Sequence, residues 1–593
     1  MNQGVDLRGN EAGAAAAAFD PISFEVIRHA LVAAADEMCV ALARSAYSTN
    51  IKTRLDLSCA LLDRECRVIG ESTAQPCHIS AMNIAVRQAI AAYGVEQLQP
   101  GDQLAVNDPY QGAAHLNDVI VLGPIFVDNE LVGFSANLAH HVDIGGGAPG
   151  SLGAFREIYQ EGLLFPVIKI AERGRLHSET FKMAMANIRS KKETAGDFRA
   201  QVAANYLGVR RMTEVYARFG RETMERFIGE LIEYTAARSR AEFRKLPRGV
   251  YEAEEFLDDD GLTDEPIRLH VRVTFAGEHV SFDFTGSDLQ RPSPMNASYT
   301  QTHAACVYVL RCLIDRDIPT NDGFYRLVEV IAPPGTVAHA QPSVGVAGGW
   351  EVSLRMCDLL FKALAPAMPD RVPAGCKAMV CHVCFGGTDP RSNEYYCFLE
   401  TIAGGHGGRL GSDGPDAVQT HHQNTQNAPV EEVEVCYPVR TLSYGLIPDS
   451  EGAGRYRGGL GVRREYTFID HEVMFTVLAD RRKFPPFGLF GGDPGKTARY
   501  SHHMLDGTVR DLPSKCTFPV KPGEVVVYET CGGGGYGDPF ERDLEAVRRD
   551  VCEEKVSRAR ALTSYGVVFD EESNVDVEAT MRVRRERRAR GPS

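Results

Sequence analysis

Four histidines, His78, His115, His140 and His141, fall between residues 56 and 143, together with Asp56, Glu71, Asp118 and Asp143. His115 and Asp118 stand three residues apart, just after the turn Asp108-Pro109-Tyr110-Gln111-Gly112. A histidine and a carboxylate at that spacing on a loop can face one ion. His140 comes 25 residues after His115, at the end of an apolar run, and can reach the same ion from a neighbouring strand. Imidazole and carboxylate ligands suit zinc, manganese or ferrous iron. The group contains no cysteine, which argues against a purely structural zinc knot. Such a set leaves positions for water or substrate, as a catalytic ion needs: it polarises a carbonyl or activates water. Neighbours on a strand face opposite ways, so His140 and His141 must have different jobs. His140-His141-Val142-Asp143 runs into Gly145-Gly146-Gly147, so these residues are expected at strand ends lining an open cleft.

Elements that would carry these residues follow from periodicity. Asp20 is a plausible N-cap, with Pro21 at the first helical position, for a helix to about Ser48. Phe24, Ile27, Leu31, Met38 and Leu42 recur at its helical spacing. Leu57 to Gly70, with Asp63 to Cys66 at its centre, reads as a β-hairpin. His78 to Tyr93 reads as helix. Leu104–Asn107, Val119–Leu122 and Leu131–Leu138 read as strands. Helices are expected over Ser178–Phe243, Thr302–Asp315 and Trp350–Ala367, and a single one over Leu544–Ala561.

The fold class expected is α+β, a multi-unit chain with a helical N-terminal region, mixed sheets and a glycine-rich, β-dominated C-terminal half. With 593 residues, two to four packed units are expected. The boundaries read as a disordered tail over 1–19, a metal-binding α+β region over 20–246, an α+β region over 247–378, a β-rich region over 379–540, and a C-terminal helix with a basic tail over 541–593. The net charge of −15 argues against broad nucleic-acid binding. No apolar run is long enough to span a membrane. The alanine-rich start has no basic segment before it and does not read as a signal peptide. Fifteen cysteines without framework spacing then suit reduced thiols in the cytoplasm.

Several other motifs carry less. Gly495-Lys496-Thr497 ends like a phosphate-binding loop, but Phe490 stands where the motif requires glycine. Gly404–Gly408 and Gly532–Gly537 are glycine clusters, read as turns between strands, with an anion cradle as the other reading. Cys381-His382-Val383-Cys384 lies in a strand, which would send its two thiols to opposite faces. His421-His422 sits in a polar stretch and reads as a surface loop, with contact to substrate or a partner as the other reading.

The motifs as a set resemble the hydantoinase B / oxoprolinase family. They include Arg54-Leu55-Asp56-Leu57-Ser58, Asn107-Asp108-Pro109-Tyr110, His115-Leu116-Asn117-Asp118 and His140-His141-Val142-Asp143-Ile144-Gly145-Gly146. Further on come Asp283-Phe284-Thr285-Gly286-Ser287, Pro319-Thr320-Asn321-Asp322-Gly323 and Tyr456-Arg457-Gly458-Gly459. The resemblance runs from Asp20 to about Ala579. It implies a metal site at Asp56, His115, Asp118 and His140, with Glu71 and His78 orienting those ligands and His141 or Asp143 moving a proton. No residue is assigned to cofactor binding. It implies a hetero-oligomer with a hydantoinase A-type partner that binds ATP and Mg, with bicarbonate as a further co-reactant. The reaction implied is ATP-dependent hydrolysis of a cyclic amide or imide such as a hydantoin, 5-oxoproline or a lactam. The alternatives are a subunit of a ketone carboxylase of the acetone or acetophenone type, and a scaffold subunit with a structural metal. Gln111-Gly112-Ala113-Ala114 departs from the family's usual glycine-glycine-threonine turn, which leaves the ligands in place and the substrate open.

Overall fold

The computed structural model describes residues 20–72, 75–572 and 574–590. The tail expected over 1–19 lies outside them. Asp20 caps the first helix, Pro21–Ser45, by accepting the backbone N–H groups of Ile22 and Ser23. Its periodic residues Phe24, Ile27, Leu31, Met38 and Leu42 are the buried ones.

Seven strands form the sheet on which the histidines sit. They are β1 (Leu57–Asp63), β2 (Val68–Ser72), β3 (Gln103–Val106), β4 (Asp118–Val127), β5 (Glu130–His140), β6 (Ile168–Glu172) and β7 (Arg175–Leu176). In space they run β2-β1-β5-β4-β3-β6-β7, with antiparallel neighbours throughout. Both faces are covered. Leu57, Cys59 and Leu61 share a core with Leu31 and Met38 of the first helix and with Met212 and Leu231 of the long helices Lys191–Phe219 and Arg221–Phe243. Ala60, Leu62, Ile120, Leu122 and Ala136 turn the other way. They join a larger core with the helices Ala81–Tyr93, Tyr299–Leu313 and Gly349–Leu364. Burial on two faces is why β1 and β4 read as unbroken apolar runs rather than alternating ones.

A four-stranded sheet closes that larger core. Its spatial order is Val328–Ile331, His279–Asp283, Ile267–Ala276 and Gly249–Leu257. Here Ile267, Leu269, Val271, Val273 and Phe275 are buried while the residues between them are more exposed, the pattern of a sheet with one wet face. Two further sheets, of four and five strands, make up the later half. Among the described residues the fold is mixed α+β, with fourteen α-helices. No helix among them is long and apolar enough to cross a membrane.

The glycine clusters are neither simple turns nor open cradles. Segments around Gly404–Gly408, Gly452–Gly461, Gly488–Gly495 and Gly532–Gly535 lie backbone against backbone. Gly408 N–H donates to Gly534 O at 2.8 Å, Gly452 N–H to Gly533 O at 2.8 Å, Gly459 N–H to His406 O at 2.8 Å and Gly533 N–H to Gly459 O at 2.9 Å. A Cβ on Gly405, Gly458, Gly533 or Gly535 would overlap the backbone of a neighbouring segment. Glycine is required here by close approach, not by a left-handed turn.

Two expectations need correction. The single helix expected over Leu544–Ala561 is two, Leu544–Cys552 and Arg558–Tyr565. Glu554 takes a positive φ of 56°, and Ser557 caps a fresh start by accepting the Arg560 N–H. The His421-His422 stretch is no surface loop: both residues are buried. All fifteen cysteines are free thiols. Cys384 packs in the larger core and Cys381 in the core of the later half.

Two substitutions separate the kinds of glycine. Gly533→Ala must displace the His406 carbonyl and should destabilise by roughly 3 kcal/mol or more. Gly229→Ala, in the helix Arg221–Phe243 with open space around it, should stabilise by about 0.5–1 kcal/mol. Chemical denaturation followed by circular dichroism reads both.

Candidate metal centre

Pairing of β4 with β5 sets Asp118 directly opposite His140. His115 joins them through a tight turn in which Asp118 N–H donates to His115 O at 3.1 Å. The three side chains converge. His115 Nε2 lies 3.2 Å from Asp118 Oδ2 and 3.2 Å from His140 Nδ1. His140 Nδ1 lies 3.1 Å from Asp118 Oδ1. All three residues are buried. Metal–ligand bonds of about 2.0–2.2 Å place adjacent ligand atoms roughly 3 Å apart, so these spacings match the edges of a coordination polygon. The other ring atoms, His115 Nδ1 and His140 Nε2, are buried without partners. Two imidazoles and a carboxylate converging at these distances are a donor set that fits a divalent cation.

Electrostatics point the same way. Burial alone would raise the Asp118 pKa, but His115 and His140 hold it well below the usual carboxylate range. Burial would lower the pKa of His140, yet its bond to Asp118 and the charge of Asp56 raise it. The site is negative enough to draw positive charge.

A cavity of about 20 Å³ adjoins the triad, lined by residues that include Asp56, Gln75, His78, Trp350, His382 and His422. That volume holds a water or an ion, so the space beside the triad is far smaller than the open cleft expected. Trp350 stands at the start of the helix Gly349–Leu364 and donates Nε1–H to Asp118 Oδ2 at 3.0 Å. It fixes the carboxylate from outside the triad, as ligands of a working ion usually require. Asp56 lines the cavity but stands apart from the three converging side chains. Its Oδ1 is 3.8 Å from His78 Nε2 and 3.5 Å from Gln75 Nε2.

The remaining expected residues are placed elsewhere. His141 follows His140 on the strand and so faces away. Its Nε2 contacts Gln201 Oε1 at 2.9 Å and its ring packs on Phe198 at 4.4 Å. Asp143 is buried against Arg189, whose Nη1 lies 3.0 Å from Oδ1 and whose backbone N–H donates to Oδ2 at 2.9 Å. Neither lines the cavity. Glu71 is buried and accepts the Tyr325 hydroxyl. His78 does line the cavity.

Sequence spacing missed Trp350, His382 and His422, because they arrive from more than 200 residues downstream of the triad. Trp350 carried one signal, being the only tryptophan of the chain.

Asp358, Cys376 and His421 form a second close group among the described residues, of different character. His421 Nε2 is 2.7 Å from Asp358 Oδ1, a charge-assisted hydrogen bond shorter than a coordination edge. Asp358 also accepts the Cys376 N–H and an Arg481 guanidinium N–H. Burial would lower the His421 pKa, but Cys376 and Asp358 outweigh it and raise it to about 9. This is a hydrogen-bonded knot whose carboxylate is already engaged by two cations and a backbone N–H.

Fold and site define a buried cluster of two histidines and a carboxylate on an antiparallel sheet, a group that could hold a metal ion. The sequence matches the hydantoinase B/oxoprolinase family over residues 20–539, and the chain belongs to that family. It is 33% identical to a protein of Pseudomonas sp. (strain NS671) named as one subunit of a D-/L-hydantoinase, covering 95% of this chain and 98% of that one. The crystal structure of an ATP-dependent caprolactamase from Pseudomonas jessenii aligns with a TM-score of 0.89 at 28% identity, covering 96% of this chain and all of that one. An acetone carboxylase structure aligns with a TM-score of 0.90 at 20% identity, over 97% of this chain and 84% of that one, which is a likeness of fold.

Substituting His115, Asp118 or His140 by alanine should weaken metal binding by more than the roughly 10–100-fold typical of losing an outer partner. His141→Ala and Asp143→Asn should keep the metal and lower the melting temperature; elemental analysis and calorimetry read both. Burial raises the Glu71 pKa to about 7, against the opposing Tyr325 bond. Folded Glu71 therefore holds its proton where the unfolded chain has lost it, from about pH 4.5 to 7. Its contribution is full below that window and is lost as pH rises through 7. Glu71→Gln should flatten this fall in stability, read as melting temperature against pH.

Proposed function

We propose that this chain is the B-type subunit of an ATP-dependent enzyme that opens a cyclic amide or imide. Its centre at His115, Asp118 and His140 activates the carbonyl. The observation that carries the reading is the convergence of these three side chains beside a small cavity, within a family named for hydantoinase and oxoprolinase. ATP chemistry belongs to an A-type partner, in keeping with the hydantoinase relative being named as one subunit of its enzyme.

A divalent ion held there would act as a Lewis acid on a carbonyl oxygen. The protein's own residues do the rest. Asp118 is oriented by Trp350 Nε1–H and bridges both imidazoles. His78 handles the proton. Its Nδ1 lies 3.1 Å from Ser58 Oγ, and that hydroxyl sits 2.8 Å from Leu57 O. A carbonyl only accepts, so the serine proton goes to Leu57 and Ser58 Oγ takes the Nδ1–H of neutral His78. The bare Nε2 of His78 then faces Asp56, and together they can take a proton from water in the cavity. His141 and Asp143 lie too far behind the strand end to share in this. Leu354 and Val380 line the cavity too and keep bulk water out.

The test is reconstitution with the A-type partner. ATP turnover should be stimulated by hydantoin, 5-oxoproline or a lactam. His115→Ala and His140→Ala should lower it by about 100-fold or more, the scale of losing a principal electrostatic stabiliser. Stimulation only by a ketone with bicarbonate would overturn the hydrolase reading in favour of carboxylation. Full activity in the alanine variants would reduce the metal to a structural part.

A further inference from the structure

His421 and His422 are neighbours that face two different surroundings. His421 takes a φ of +57°, and its ring is locked behind the cavity wall by Asp358 and by stacking on Phe361 at 5.7 Å. His422 lines the cavity. Its ring meets Trp350 edge-on at 5.7 Å and Tyr308 at 5.7 Å. The glycine bundle anchors this segment from upstream, since Gly404 and Val418 exchange backbone hydrogen bonds at 3.1 and 2.9 Å.

The tautomer of His422 follows from its partner. Ser353 Oγ lies 2.8 Å from Gln301 O and 3.1 Å from His422 Nε2. The hydroxyl has one proton and the carbonyl can only accept it. Ser353 Oγ therefore accepts Nε2–H, and Nδ1 of the neutral ring is a bare lone pair. That Nδ1 is buried and has no partner. Burial, reinforced by His421 beside it, pushes the His422 pKa down to about 3, so the ring accepts a hydrogen bond without taking up the proton.

A small-ring amide is cis, which puts its C=O and N–H on adjacent atoms on one side. Trp350 has the metal triad bonded to its indole N–H and His422 packed against its ring. The triad side of Trp350 thus suits a carbonyl oxygen and the His422 side an adjacent N–H. We propose that His422 Nδ1 accepts the ring N–H of the substrate, so that this residue selects secondary cyclic amides and imides over N-alkylated amides and over ketones. The proposal rests on the amide-opening reading above. A ring needs more room than the present cavity of about 20 Å³, so the cavity has to widen to admit it.

Trp350, the only tryptophan, reports directly on the cavity. The zinc-loaded full chain is titrated with caprolactam, hydantoin and 5-oxoproline and with their N-methyl derivatives, following tryptophan emission. The wild type should prefer the N–H form of at least one pair by about tenfold or more, the scale set by a buried acceptor left unpaired. His422→Phe should abolish that preference, and His422→Asn, which puts an amide oxygen near the position of Nδ1, should retain most of it. If His422→Phe does not fold, Ser353→Ala carries the test. It releases the tautomer and should cut the preference severalfold. Equal binding of parent and N-methyl forms, no emission change with any probe, or a preference unchanged in His422→Phe or in Ser353→Ala overturns the proposal. Turnover of the reconstituted pair separates the two readings. Amide turnover without an N–H preference sinks the role of His422 alone. Ketone-only turnover with the preference intact sinks the amide-opening reading and leaves the binding role of His422.

Discussion

One antiparallel register holds the centre together. Asp118 and His140 are cross-strand partners, and a slip of one residue would send one of the two side chains to the opposite face and part them. The same register sends His141 to the helix side, against Gln201 and Phe198. Register is strongly specified here because both faces of the sheet are buried. Leu57 and Ala60, three residues apart, belong to different cores, so any slip would exchange apolar partners on both sides at once. The metal-type cluster is thus a by-product of packing that is needed for other reasons.

Around that sheet the later part of the chain supplies the lid and the walls. Trp350 reaches Asp118 from a helix buried along almost its whole length. Glu351, the next residue, accepts the backbone N–H groups of Val380 and Cys381 at 2.7 and 3.0 Å, which ties that helix to the strand bearing His382. The glycine bundle then fixes the segment that brings His422. Glycine removes side chains so that backbones can approach, and backbone hydrogen bonds replace the apolar contacts that side chains would have given. The bundle is intolerant of any added Cβ for that reason, not because of turn geometry.

Buried charge is distributed in closed groups. In each, one carboxylate faces two cations: Asp358 pairs with Arg481 and His421, and Asp480 with Lys515 and Arg355. Such groups cost desolvation and add little net stability, but removing one member strands the others. The triad of His115, Asp118 and His140 leaves a ring nitrogen of each histidine unpaired, as the first of those groups does at His421 Nδ1. His78 and His422 differ in each having one ring nitrogen set by a serine whose proton is already given to a carbonyl. These open valences mark the working face of the molecule.

The sequence by itself determined the local elements and the identity of the family. Helical spacing of Phe24, Ile27 and Leu31, the hairpin around Asp63–Cys66, and the apolar runs of β4 and β5 are short-range patterns, set by contacts within an element and one neighbour. His115, Asp118 and His140 were visible for the same reason, since 25 residues and one hairpin enclose them. Only tertiary structure decided that Trp350, His382 and His422 share their cavity, that His141 and Asp143 turn away from it, and that His421-His422 is buried rather than a surface loop. Those outcomes depend on which distant faces pack together, and residue type carries no record of that. Polar residues such as Gln419–Asn427 read as solvated until the structure supplies partners like Asp358 and Ser353 that make their burial tolerable. The glycine clusters are ambiguous for the same reason, because a glycine chosen for a turn and one chosen for a backbone neighbour are the same letter until the neighbour is in place.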